Sequence, residues 1–252
     1  MTSASDTLQF MRELEREYQI KSGCRNRSEY KIFYGQIRSA PILVLGINPG
    51  GSPERTSPDG LTHLDGAGNV RAAAASATFY EAGTQDLLDC VWAGNTGLLK
   101  ILRPLFDNNE INMRRNIVQT NLAFRRSAKK LPPKVERLAM DEAEPFLRAI
   151  ILRTRPSIVF CTGRLLDVFA QRFGAGVTTL IERQVEPSVN QTVIAASRIA
   201  MRDSESGLDF ATLAIEIAHP SQFSWVYERH NLVARVRELL AKEKIDIFGA
   251  PV

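Results

Sequence analysis

Four short apolar runs, each cut off by glycine or polar residues and separated from the next by an amphipathic stretch, constrain this chain most. They are PILVLGI (41–47), NIVQTNLAF (116–124), SIVFCTG (157–163) and ATLAIEIAHPS (211–221). In the first, Ile42, Leu43, Val44 and Leu45 leave no polar face, the pattern of a strand covered on both sides. Helical spacings fill the intervals: residues 84–106, which include TGLLKILRPLF; 134–154, running through Pro145; 164–173; and 223–244. Leu8, Met11, Leu14 and Tyr18 space out another helix over 5–20. Strands alternating with helices predict an α/β fold, a central, mostly parallel four-stranded sheet in a three-layer α/β/α arrangement. Residues 178–200 read as a hairpin inserted into that frame, turning at EPSVN, and the Gly/Asp/Ala-rich stretch 50–78 as a long loop or lid. With no repeat and no linker, 1–252 is expected to be a single domain. Its core is expected over about 40–240, with the N-terminal helix packed on it.

In such a sheet, ligands sit at the carboxyl ends of the strands. Three of the runs end in polar loops: Asn48-Pro49-Gly50, Thr120-Asn121 and His219-Pro220-Ser221. Each has an ordinary structural explanation, since Asn48 could cap a turn, Asn121 satisfy a strand end and His219 be a hydrogen-bonded core histidine. Their convergence at equivalent strand ends is what marks a site. The loop after the first strand fits neither G-x-G-x-x-G nor G-x-x-x-x-G-K-[ST], so dinucleotide and P-loop chemistry are not supported. No serine sits in a nucleophile elbow. His63 lies near Asp59 and Asp65, but at a spacing that fits no common metal loop, and His230 reads as a surface residue of the last helix.

Cys24, Cys90 and Cys161 are scattered, with no CxxC pair. They suggest a reducing compartment and no metal or other cofactor. The apolar runs are too short to span a bilayer and the N-terminal stretch has no apolar signal core, so a cytoplasmic protein without a membrane partner is expected. The net charge of +4 permits a polyanionic partner. Its distribution says more: Arg114, Arg115, Arg125, Arg126, Lys129, Lys130 and Lys134 follow one another with no Asp or Glu between them. That run is either a solvated basic face or a phosphate-tracking loop, bounded by Pro132-Pro133.

GINPGG after the first strand and HPSQF after the last resemble the two signature motifs of the uracil-DNA glycosylase superfamily. TNLAFRRSAKKLPP resembles that superfamily's second-strand segment. EPFLRAIILRTRPSIVFCTGRLLDVFA resembles its helix-strand-helix segment, and WAGNTGLLKIL the helix after its first motif, especially in the thermophilic-type branch. The cysteines that hold an iron–sulfur cluster in that branch are missing here. Asn48, where that branch has an acidic residue, is similar to the mismatch-specific and single-strand-selective branches.

The resemblance implies a monomeric DNA glycosylase that hydrolyses the bond between sugar and base, for uracil or a related damaged base, in base excision repair. It makes Asn48 and His219 catalytic. An amide cannot take a proton at neutral pH, but its carbonyl can orient a water. A histidine can donate to the base carbonyl as charge accumulates there. The resemblance also implies that Gly46, Ile47 and Asn121 line the base, with Trp92 or the Phe79–Tyr80 pair stacking on it. Arg125, Arg126, Lys129, Lys130 and Ser221 then meet DNA. Phe223, or its neighbour Trp225, fills the space that the flipped base leaves. Two other readings use the same residues: a catalytically silent nucleic-acid binder, and a hydrolase of free nucleosides or nucleotides. The basic run and the exposed apolar wedge argue against the second, because a free nucleoside needs no wedge.

Overall fold

The computed structural model describes residues 4–34, 37, 39–49, 52–58, 62–64, 70–72, 96–127, 131–202, 207 and 209–247. Along them run α1 (Ala4–Ser22), β1 (Ile42–Gly46), β2 (Thr62–Leu64), β3 (Val70–Ala72), α2 (Thr96–Leu105), α3 (Glu110–Asn116), β4 (Ile117–Asn121) and α4 (Pro133–Thr154). The second half holds β5 (Ile158–Thr162), α5 (Leu166–Phe173), β6 (Gly174–Glu186), β7 (Gln191–Arg202), β8 (Asp209–Ile217), α6 (Pro220–Phe223), α7 (Trp225–Arg229) and α8 (Leu232–Glu243). The expected α/β class holds. No helix among the described residues is long and apolar enough to cross a membrane.

The sheet has six strands, in the order β4-β1-β5-β8-β7-β6, rather than the four expected. β1 pairs with β5 and β5 with β8 in parallel, Ile42 opposite Ile158 and Cys161 opposite Glu216. The difference comes from the hairpin over 174–202. It is no insertion: β7 pairs antiparallel with β8 from Ala195–Glu216 to Arg202–Asp209, which extends the sheet. The pairing follows from burial, because Val193, Ile194, Ala195, Ala196, Ile199 and Met201 are all buried. β6 is largely exposed and carries Glu182, Arg183 and Gln184. Its pairing with β7 breaks register four times, a charged and irregular strand that discourages further pairing at an edge. Part of the stretch expected as a loop over 50–78 forms a two-stranded antiparallel pair, β2 with β3, His63 opposite Arg71.

The expected closing helix over 223–244 is instead three pieces. Asn231 takes a left-handed conformation, φ 47°, which an asparagine tolerates better than most residues and which ends α7 before α8 begins. His230 caps α7 and binds the Glu186 carboxylate at 2.7 Å, so it ties the last helices to the β6–β7 turn rather than standing as a bare surface residue.

The chain divides into two compact units. The first comprises Met1–Arg38, Gly46–Ala93 and Val118–Arg153, and the second Ser39–Leu45, Gly94–Ile117 and Thr154–Val252. In the first, Met11, Leu14 and Tyr18 bury the predicted face of α1. The Tyr18 ring meets Tyr30, Phe124 and Phe146 edge-on at 5.3, 5.2 and 5.4 Å, the geometry that ring quadrupoles favour. That cluster anchors the chain after β4 through Phe124. In the second unit, Glu216 of β8 is fully buried. It accepts from Arg183 Nε at 2.8 Å, Thr192 Oγ1 at 2.6 Å and the Leu166 amide at 2.9 Å, so the strand end, the β6 edge and the start of α5 share one carboxylate.

Candidate functional site

In the first unit the chain leaving β1 and the chain leaving β4 lie side by side. The Leu122 amide donates to the Gly46 carbonyl and the Ala123 amide to the Ile47 carbonyl, both at 2.8 Å, and the Ser127 amide reaches Pro49 at 3.2 Å. Gly46 and Ile47, expected to line the base, thus spend their carbonyls on the neighbouring loop. Asn48 is half-buried and donates from Nδ2 to the Pro49 carbonyl at 3.1 Å. Nδ2 gives one of its two hydrogens to its own turn, and the carbonyl oxygen is an acceptor that can meet a ligand or a water.

Asn121, at the last position of β4, is almost fully buried and donates from Nδ2 to the Tyr34 hydroxyl at 2.9 Å. The segment that carries Tyr34 is zipped onto β4 and the loop beyond it. Thr120 Oγ1 donates to Ile32 O at 2.9 Å, the Lys31 amide to Phe124 O at 2.8 Å and the Arg126 amide to Glu29 O at 2.8 Å, while Tyr30 and Arg125 form an antiparallel bridge. The Lys31 ammonium stands 4.1 Å from the centre of the Tyr34 ring, a cation–π distance. Burial raises the Tyr34 pKa against the opposing pull of its bond to Asn121 and of the Arg126 charge, so the phenol keeps its proton. Burial also lowers the Arg126 pKa. Tyr34 and Lys31 were not legible as site residues, because no periodicity or motif marks YKIFYG.

The basic run splits. Arg125 Nη2 meets Glu142 Oε2 and the Ser22 carbonyl, each at 2.7 Å, and Glu142 also accepts from the Tyr18 hydroxyl at 2.6 Å. The hydrogen bonds that Arg125 donates to Glu142 raise its pKa, and the guanidinium is engaged by α1 and α4. Lys129 and Lys130 lie outside the described residues, as do Phe79, Tyr80, Trp92 and Cys90.

In the second unit His219 follows β8 and caps the short α6, its carbonyl accepting from the Phe223 amide at 3.0 Å. The preceding carbonyl, of Ala218, is held by the buried Tyr227 hydroxyl. Partial burial lowers the His219 pKa, so the imidazole is neutral at pH 7 and one ring nitrogen carries a hydrogen to donate. Ser221 lies in α6. Phe223 closes that helix half-buried, and Trp225 opens α7 38% exposed, with Arg229 5.8 Å from its ring centre.

Among the described residues no group of three or more His, Cys, Asp or Glu side chains gathers as metal ligands do. The thiols of Cys24 and Cys161 are buried, which raises both pKa values and is the opposite of an activated nucleophile. No protein-family model matches the chain, and no curated protein matches its sequence.

Proposed function

We propose that the chain is a DNA glycosylase of the uracil-DNA glycosylase type. It hydrolyses the N-glycosidic bond of uracil or a related damaged base in DNA, as a monomer in the cytoplasm, in the service of base excision repair. Beside the motif resemblance, the observation that carries this reading lies in the first unit: two asparagines at the ends of loops clamped together by backbone bonds, each with its amide nitrogen fixed by the protein. Such amides are preorganised, with no reorganisation needed when substrate arrives.

In the reaction a water oxygen bonds to the sugar carbon as the carbon–nitrogen bond breaks, the base leaves as an anion with the bonding electrons, and the proton that the water gives up passes through solvent to that anion. The Asn48 carbonyl orients the water by accepting one of its hydrogens. His219, neutral, donates to the base carbonyl on which charge develops. Asn121 reads the edge of the base. Arg126, Lys129 and Lys130 serve the phosphates, and Phe223 fills the vacated stack.

The test is a panel of oligonucleotides carrying uracil, hypoxanthine, xanthine or mismatched thymine, single- and double-stranded, assayed for abasic sites. At least one is cleaved, and His219→Ala slows that cleavage by ~10²–10³-fold, the loss typical of removing one oxyanion donor. Equal rates for wild type and variant refute the role of His219. Binding without any abasic product points instead to the silent binder.

A further inference from the structure

In the first unit α1 and α4 pack antiparallel, with Arg153 over the Phe10 ring near one end and the Tyr18 hydroxyl on Glu142 near the other. Along one side of the pair runs a half-open groove of about 250 Å³ that no residue of the candidate site lines. Leu14 and Phe146, both buried, form its floor, and Phe10, Pro145 and Ala149 its apolar walls. Glu13 and Glu17 line it as well, both exposed, so their carboxylates stand at its mouth. The cavity is smaller than the ~300–1,000 Å³ of small-ligand pockets, but apolar surface continues past it along both helices. Ile20, three residues beyond Glu17, is 77% exposed, and Leu138, two turns before Pro145 on the same face of α4, is 60% exposed. From Phe10 to Ile20 the axis of α1 rises about 15 Å, nearly three helical turns.

We propose that this groove docks a basic amphipathic helix of a protein partner. The apolar side chains of that helix seat between α1 and α4, and Lys or Arg beside them meets Glu13 and Glu17. Two observations set the charge. Among the described residues neither carboxylate is in an ion pair, and Glu13 accepts only from Gln9 Nε2, at 2.9 Å. The chain's own cations nearby, Lys21 and Arg153, stand on the aromatic rings instead, 5.6 Å from the centre of Phe146 and 5.0 Å from that of Phe10. The spacing sets the shape. Phe10, Glu13, Leu14 and Glu17 fall at i, i+3, i+4 and i+7, so acids and apolar residues share one face, and a helix laid along it meets both. A nucleic acid is the wrong occupant, because its phosphates would face two carboxylates. The inference stands apart from the glycosylase reading, and the failure of either leaves the other.

The test is a displayed library of helical peptides, randomised on one face and selected on the full-length wild-type protein. Recovered sequences should carry Leu or an aromatic residue at i and i+4, with Lys or Arg at neighbouring positions. The tightest of them should lose at least tenfold in affinity on Ala149→Arg. Ala149 is half-buried within α4, and an arginine there is a good helix former that fills the groove from within and supplies the missing cation. Glu13→Gln combined with Glu17→Gln, two exposed changes that leave the core intact, should weaken binding roughly three- to tenfold, the worth of two exposed ion pairs, and reduce its salt dependence. No enrichment, recovered peptides rich in Asp and Glu, or equal binding to the variants overturns the proposal. So does a wild-type dimer that Ala149→Arg dissolves, since a second copy then fills the groove. If Ala149→Arg does not fold, the double glutamine variant decides alone, and an unchanged affinity refutes the docking.

Discussion

Arg125→Ala separates a structural cation from a DNA contact, and its neighbour Arg126 supplies the control. Arg125 stands in a basic run whose charge suggests phosphate binding, yet its guanidinium makes contacts at 2.7, 3.1 and 3.2 Å with Glu142 and one at 2.7 Å with the Ser22 carbonyl. The side chains are 38% and 18% exposed, so the pair is neither fully solvated nor fully buried. Truncating one partner of a buried pair costs roughly 3–5 kcal/mol, and an exposed pair contributes roughly 0–1 kcal/mol. This pair lies between, at about 2 kcal/mol, since Tyr18 still donates to Glu142 after Arg125 is gone. In a chain of this length that is a fall in Tm of roughly 4–8 °C.

The same substitution should leave the salt dependence of oligonucleotide binding unchanged. A lost phosphate contact would reduce the slope of log K against log salt by ~0.9 on duplex or ~0.7 on a single strand. Thermal melting and a salt titration, run on Arg125→Ala and Arg126→Ala side by side, give both quantities. Arg126→Ala should show the slope change. An Arg125→Ala protein that melts with wild type while its slope falls by a full contact would refute the pinning role and restore Arg125 to the DNA face.

Arg183→Met removes the cationic partner of the fully buried Glu216 and leaves it only Thr192 and the Leu166 amide; urea denaturation should show a loss of about 3 kcal/mol, and a loss under ~1 kcal/mol would mean the carboxylate is re-satisfied. His219, its pKa held below the ordinary value by burial, protonates in the unfolded chain first, so stability falls as pH drops from ~6.5 toward the lowered native value. Urea midpoints of wild type and His219→Gln should converge across that window, and a difference independent of pH would refute the cause. Gly163 has φ 82° with nothing within 4 Å of where a Cβ would stand, so Gly163→Ala meets backbone strain alone and should cost ~1–2 kcal/mol by melting, with Gly163→Asn costing less.

What could be read from the sequence is what local chemistry dictates. β1 and β5 were legible because a strand buried on both faces must be apolar throughout, and Ile42–Leu45 and Ile158–Cys161 satisfy that residue by residue. The β6–β7 hairpin was legible as a hairpin through its turn, but not as part of the sheet. Nothing within 174–202 states that β7 will lie antiparallel on β8, because the information is shared between two strands. The break between α7 and α8 rests on one left-handed asparagine whose neighbours all read as helix. Asn121 could be found from its place at the end of a strand, whereas Tyr34, 87 residues away in sequence, is tied to it only by the fold.

A run of cations misleads for a similar physical reason. Counting charge along 114–134 treats Arg125 and Arg126 as one feature, but the chain there is extended: Arg125 forms an antiparallel bridge with Tyr30, and the Arg126 amide donates to Glu29. Successive side chains of an extended segment point to opposite faces. Of these two arginines, Arg125 meets a carboxylate, whereas Arg126 is the more desolvated, its pKa lowered by burial. Arg125 turns toward α1 and α4, where Glu142, 17 residues further along the chain, supplies that carboxylate. Had Glu142 been apolar, the half-buried guanidinium would carry part of a desolvation cost with no compensating charge. The acid that makes the double arginine tolerable lies on α4, beyond the window in which the charge was counted.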